Sequence, residues 1–157
     1  MEYEVRAESF RLEISENVYQ RFSAYIESYN YNVESGGILV GILDPSHNSI
    51  IITDITEPFD RDRQTRCGFH RMEKGHQEKM DQLWEQSDFK KTYLGEWHTH
   101  KQKRPCPSNI DIKNWIKISK KNIHNSQRLF FIIVGTEEIG VWMVVHDMVK
   151  KLEVVEN

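Results

Sequence analysis

The chain has 157 residues, enough for one domain with a single substantial core, and its 38% hydrophobic content and mean hydropathy of −0.64 fit a soluble protein with a charged surface. Basic and acidic residues number 21 and 24, and the net charge of −3 argues against a global attraction for nucleic acid. No apolar run approaches the ~20 residues needed to span a bilayer, the opening Met1-Glu2-Tyr3-Glu4-Val5-Arg6 does not read as a secretory leader, and two cysteines are too few for a disulfide framework. A cytoplasmic protein with Cys67 and Cys106 as free thiols is expected.

The alternating residues from Met1 to Ile14 predict an edge strand. Val18, Phe22, Tyr25, Ile26 and Tyr29 then recur at helical spacing, which predicts a first helix over 16–29. Two β-rich runs, 36–43 and 49–55, flank the turn composition Asp44-Pro45-Ser46-His47-Asn48 and predict an antiparallel hairpin with Glu34 at its entrance. The stretch 57–65 is charged and reads as irregular. Met72, His76, Met80, Leu83 and Trp84 mark a second amphipathic helix, 91–100 a strand, and 108 to about 122 a third helix. Apolar runs at 129–134 and 141–145 close the chain as strands around Gly135 to Gly140. There is no repeat, linker or low-complexity tract, so residues 1–157 are expected to form one α/β domain, a mixed sheet flanked by helices.

The chemistry concentrates in Gly95-Glu96-Trp97-His98-Thr99-His100 and Pro107-Ser108-Asn109-Ile110-Asp111. Alternate side chains of a strand share a face, so His98 and His100 project together from Cα atoms about 6.5–7 Å apart. Two imidazoles can therefore converge on one Zn²⁺, and a catalytic zinc takes three protein ligands with the fourth position left open. Asp111 is the natural third ligand. Ser108-x-x-Asp111 also reads as a capping box at the start of the third helix, with serine at the N-cap and the acid three residues on.

The arrangement His98-x-His100-x7-Ser108-x2-Asp111 resembles the metal motif of the JAMM (JAB, MPN+) metalloproteases and matches its spacing at every position. Val33-Glu34-Ser35-Gly36-Gly37-Ile38-Leu39-Val40-Gly41 is similar to that family's glutamate ahead of a small-residue strand, and Pro105-Cys106-Pro107-Ser108 to the entry of its helix. Lys101 stands where the family commonly has proline after the second histidine. Arg66-Cys67-Gly68-Phe69-His70-Arg71 and Gly95 to His100 resemble a bacterial branch that includes the JAB isopeptidases of CBASS anti-phage operons.

The resemblance implies a JAB/MPN fold and a zinc isopeptidase with His98, His100 and Asp111 as ligands. It implies Glu34 as general base and acid, and Ser108 as donor to the oxyanion of the tetrahedral intermediate. The implied substrate is the C-terminal tail of a ubiquitin-like protein, or a nucleotidyltransferase conjugated by E1/E2-like enzymes; on physical grounds a flexible tail of this kind is expected to bind extended, adding to an exposed strand edge. Neither membrane nor nucleic acid is an expected partner.

Basic residues crowd the motif, among them Lys101, Lys103, Arg104, Lys113, Lys117, Lys120 and Lys121, either as a steering patch for an acidic partner or as a solvated helix face and loop. Gly36 and Gly37 read equally as room for substrate backbone or as a tight strand start. His47, His70, His76, His124 and His146 share no ligand spacing and are expected to be surface or satisfied polar residues, and both cysteines to be incidental.

A nucleobase deaminase requires His-x-Glu and a later Pro-Cys-x-x-Cys, whereas this chain has Glu96-Trp97-His98 in the reverse order and no Cys-x-x-Cys. The His-Glu-x-x-His of a thermolysin-like protease is also absent. Within the resemblance, two alternatives remain: a zinc-free MPN-like scaffold or binding module, and a peptidase that processes a sulfur-carrier precursor.

Overall fold

The computed structural model describes residues 2–5, 10–28, 33–122 and 128–154. Its elements in chain order are β1 (Glu2–Val5), β2 (Phe10–Ile14), α1 (Glu16–Glu27), β3 (Gly36–Asp44), β4 (Ser49–Ile55), β5 (Arg63–Thr65), β6 (Gly68–His70), α2 (Glu73–Gln86), β7 (Thr92–Thr99), α3 (Asn109–Lys121), β8 (Arg128–Val134), β9 (Ile139–Val145) and β10 (Met148–Val154).

Eight strands form a mixed sheet in the order β1-β10-β9-β8-β7-β3-β4-β2, which closes because β1 pairs with both β2 and β10. The pairs β2–β4 and β7–β8 are parallel and the others antiparallel. The expected α/β architecture is therefore present, and the hairpin of β3 and β4 forms around a short 3-10 turn, Pro45–His47, with Asn48 in the left-handed region. Closure of the sheet was not expected from the sequence, nor was β10.

Inward-facing residues of the barrel pack with one face of α1: Phe10, Leu12, Leu39, Ile52, Leu94, Trp97, Phe130 and Ile132 meet Val18 and Phe22. On the outer surface Trp115 of α3 lies on Leu129, Phe131, Ile133, Trp142 and Val144. Strand β8 is thus covered on both faces, which is why Leu129 to Val134 reads as one unbroken apolar run. Burial of such side chains stabilises the fold by roughly 1.5–3 kcal/mol each.

Helix α2 rests on β3 through Met80 and Leu83, which meet Ile38 and Val40. The expected stripe is narrower than its sequence suggests: Met72 stands at the N-cap and is 47% exposed, while Trp84, one residue past Leu83 and so about 100° around the helix, is 46% exposed against Phe89. His76 on the same helix is fully buried, with Nδ1 2.6 Å from Thr56 Oγ1 and Nε2 2.6 Å from Asp62 Oδ2. It is a satisfied polar group, as expected. The stretch 57–65, expected to be irregular, supplies β5, which pairs with β6 in a small separate hairpin. Tyr29, expected in the first helix, and His124 lie outside the described residues.

Candidate metal centre

A bulge in β7 sets the phase of the site. Leu39 of β3 pairs with Gly95, but the next residue, Val40, pairs with Tyr93, so Leu94 is an extra residue on β7. Gly95 has φ +139°, and a Cβ there would collide with the Phe130 carbonyl, so only glycine fits. Beyond the bulge Trp97 and Thr99 are buried in the barrel, and Glu96 and His98 emerge on the opposite face beside α3. His100 follows immediately after the strand, and its N–H donates to the Val134 carbonyl at 3.0 Å, prolonging the β7–β8 ladder.

Helix α3 starts beside these histidines. Ser108 is its N-cap, and Asp111 is its N3 residue. The Asp111 N–H donates to Ser108 Oγ at 3.1 Å, and the Ser108 N–H donates to Asp111 Oδ2 at 2.7 Å. The capping box read from the sequence therefore forms, and it turns the same carboxylate toward the histidines.

The three side chains meet: His98 Nε2 lies 3.0 Å from His100 Nε2 and 3.4 Å from Asp111 Oδ1, while His100 Nε2 lies 3.3 Å from Asp111 Oδ2. A tetrahedral ion with bonds of about 2.0–2.1 Å holds its ligand atoms about 3.3–3.4 Å apart, which the two histidine–aspartate separations match and the histidine–histidine separation of 3.0 Å falls slightly short of. Each side chain is about one-sixth exposed, which leaves the cluster reachable from solvent. Among the described residues this is the one grouping of three or more histidine, cysteine or acidic side chains close enough to hold a metal ion.

Gln102 orients the second histidine. Its Oε1 accepts from the Cys106 N–H at 3.0 Å, which identifies that atom as the amide oxygen, and it lies 3.3 Å from His100 Nδ1. An acceptor at Nδ1 fixes the tautomer with the proton there and leaves the Nε2 lone pair directed at the cluster. Gln102 also ties down the loop that begins with Lys101, because its N–H donates to the His100 carbonyl and its carbonyl accepts from Thr136.

Glu34 precedes β3 and is only 8% exposed. Its backbone is held by the β5–β6 hairpin, with its N–H donating to the Thr65 carbonyl at 2.7 Å and its carbonyl accepting from Gln64 Nε2 at 3.3 Å. Next to it, Ser35 and Thr99 exchange two hydrogen bonds of 2.9 Å, which places Glu34 against the end of β7. Glu34, His98, His100, Ser108 and Asp111 all line one open groove of about 510 Å³. Its walls are the hairpin, through Arg66 to His70, and α3, through Ile110, Asn114 and Ile118.

The charges are strongly linked. Burial raises the Glu34 carboxyl above the usual carboxylate range, against the opposing pull of His100 and His98. Burial acts to raise Asp111 too, but hydrogen bonds from His100 and His98 outweigh it and hold that carboxyl far below its usual value. For His100 burial favours the neutral ring, and the hydrogen bond and charge of Asp111 overcome it, so its pKa is raised.

Sequence reasoning missed Glu96, Gln102 and the hairpin wall. His70, expected to be a surface or satisfied polar residue, and Cys67, expected to be incidental, both border the groove. Cys106 is exposed. Part of the basic excess is neutralised locally, by Lys103 with Glu137 at 3.2 Å and Arg104 with Glu138 at 3.9 Å. No helix among the described residues is long and apolar enough to cross a membrane.

Residues 15–146 match the sequence profile of the prokaryotic homologs of the JAB domain. A protein named CD-NTase/cGAS isopeptidase from Escherichia coli (strain TW11681) is 36% identical over 140 residues, covering 89% of this chain and 86% of that protein. A protein of the same name from Vibrio cholerae is 29% identical over 141 residues, covering 90% and 86%. A solution structure of a Desulfitobacterium hafniense protein superposes with a TM-score of 0.63 at 16% identity, over 92% of this chain and 91% of that one, a likeness of fold. The profile match and the 36% relative, together with the paired histidines and the helix-capping aspartate, identify the chain as a metallo-hydrolase belonging to the prokaryotic JAB-domain family.

Proposed function

We propose that this chain, as one domain over residues 1–157, is a zinc-dependent isopeptidase that reverses ubiquitin-like conjugation in the cytoplasm. Its substrate in this reading is a CD-NTase-type nucleotidyltransferase joined through its C-terminal tail to another protein by E1/E2-like enzymes, in the setting of CBASS anti-phage defence. The carrying observation is the convergence of His98, His100 and Asp111 at zinc-like spacing in a groove shared with the buried Glu34. The name shared by the relatives, CD-NTase/cGAS isopeptidase, supports the substrate class.

His98, His100 and Asp111 would hold Zn²⁺ and leave its fourth position open. When bound, the ion supplies Lewis-acid chemistry, acidifying water toward a pKa of ~7 and polarising a carbonyl. Glu34 takes the proton of the attacking water and passes it to the departing lysine amine, a role suited to a carboxyl raised by burial. Ser108 Oγ accepts from the Asp111 N–H and still has its own proton to donate to the oxyanion, a contribution of about 3 kcal/mol if it matches other single oxyanion donors. Strand β6 pairs with β5 alone among the described residues, and its Gly68, Phe69 and His70 line the groove, which supports its unpaired edge as the template for an extended tail.

The test is incubation of the purified chain with a panel of ubiquitin-like fusions and a conjugated nucleotidyltransferase, with Glu34→Gln as control. Cleavage directly after the tail, abolished by the substitution and by chelation, is expected. Cleavage that survives either treatment rejects the reading.

A further inference from the structure

Arg71 lies outside the ligand set and the proton path, yet it joins the two halves of the site. It follows β6 directly, and both its Nε and Nη2 donate to Glu96 Oε1, at 2.9 and 2.7 Å. Glu96 sits on β7 two residues before His98, on the same outward side. The side chains are 27% and 23% exposed, so the pair is shielded from solvent more than an ordinary surface ion pair. The Tyr93 hydroxyl adds a third donor to the same Glu96 oxygen at 3.4 Å.

On its other side the hairpin grips Glu34. Thr65 accepts from the Glu34 N–H, and Gln64 donates to the Glu34 carbonyl and to Ser35 Oγ, the latter at 3.1 Å. The Phe69 ring fills the space where Gly36 has no Cβ, so a side chain at position 36 would displace the hairpin. A hairpin of two three-residue strands has little stability alone, and these attachments hold it in place.

We infer that Arg71 is a positioning residue: by latching the hairpin to Glu96 on the strand that carries His98, it holds Glu34 at a fixed distance from the metal ligands. The inference rests on the reading of Glu34 as the proton carrier. A carboxylate that must reach a water in one geometry loses rate when its backbone wanders by about 1 Å, even though every reacting group remains present. The latch acts on turnover and leaves in place the three ligands, which sit on β7, just after it and on α3.

The experiment compares the zinc-loaded full chain with Arg71→Met and Arg71→Lys, by amide exchange at Glu34 followed by NMR, zinc stoichiometry, and kcat and KM on a short tail peptide. With Arg71→Met, Glu34 amide exchange is expected to accelerate about ten-fold or more and kcat to fall about ten-fold or more, with zinc retained and KM changed by less than about three-fold. Arg71→Lys, which keeps the charge but not the two-nitrogen grip, is expected to fall between the two. Unchanged Glu34 protection, loss of zinc, or a rise in KM alone overturns the proposal. If Arg71→Met does not fold, Gln64→Ala, which cuts another hairpin bond to Glu34, must lower kcat with zinc retained, and an unchanged kcat overturns it. Full activity of Glu34→Gln would instead defeat the proton-carrier reading, while the exchange data would still report whether the latch exists.

Discussion

Ser108 and Asp111 are bonded to each other twice, the Asp111 N–H to the serine hydroxyl and the Ser108 N–H to the aspartate carboxylate. One three-residue step thus caps α3 and aims a carboxylate at two imidazoles, so helix start and candidate ligand are one device. Ser108→Ala removes the cap and is expected to cost about 1 kcal/mol of stability, read by thermal unfolding. In the proposed mechanism it also slows kcat more than it raises KM. A change in melting temperature alone would assign Ser108 to capping.

Gln102 supports His100 from behind, and its loss leaves the ring free to adopt either tautomer. Gln102→Leu is therefore expected to weaken zinc binding by about ten-fold or more, measured by competition with a chelating dye. Wild-type affinity in that variant would remove Gln102 from the account.

Zinc and protons compete for the cluster. In the metal-free chain burial disfavours His100 protonation, but its bond to Asp111 and the charge of that carboxylate win, so its pKa is raised and the proton is held at higher pH than in a free imidazole. Metal binding must expel that proton, so zinc affinity falls as pH drops through the raised pKa, by about ten-fold per unit for each proton displaced. Titrations between pH 5.5 and 8 check the slope, roughly the window around the ordinary histidine value. A flat profile would contradict the assignment of His100 as a ligand.

Thr56, His76 and Asp62 form a buried polar chain that ties α2 to the loop after β4. Asp62 also accepts from the N–H groups of Phe59 and Met72, both at 2.8 Å. Asp62→Ala orphans these donors and is expected to destabilise the fold by about 3 kcal/mol in denaturant titration. Burial works to raise the Asp62 carboxyl, but the hydrogen bonds outweigh it and leave its pKa lowered. The stabilisation is therefore complete above the unfolded value near ~4 and is lost as pH falls through the lower folded value. The variant should show a smaller loss over that acid range.

Much of this arrangement is legible in the residues. The stripe of α1, the turn between β3 and β4, the apolar run of β8 and the His-x-His strand each carry a local signal, and the structure contains each element. Strand β10 hid because Leu152 is its one buried side chain, and Lys150-Lys151 leaves no apolar run to mark a strand. The β5–β6 hairpin hid because Arg63-Gln64-Thr65 is polar and exposed, and what holds it is tertiary: Glu34, Gly36 and Glu96. Glu34 itself has no local signature, and family resemblance alone singled it out. Gly95 marks a bulge that pattern reading passes over, although that bulge decides which face of β7 carries His98.

The most direct test is zinc content measured by elemental analysis on the purified chain and on His98→Ala, Asp111→Ala and Glu34→Gln. About one zinc per chain is expected in the wild type and in Glu34→Gln, with turnover lost in the latter, and little metal or activity in the two ligand variants. Full zinc occupancy after removal of His98 or Asp111, or full peptidase activity in a metal-free preparation, would contradict it.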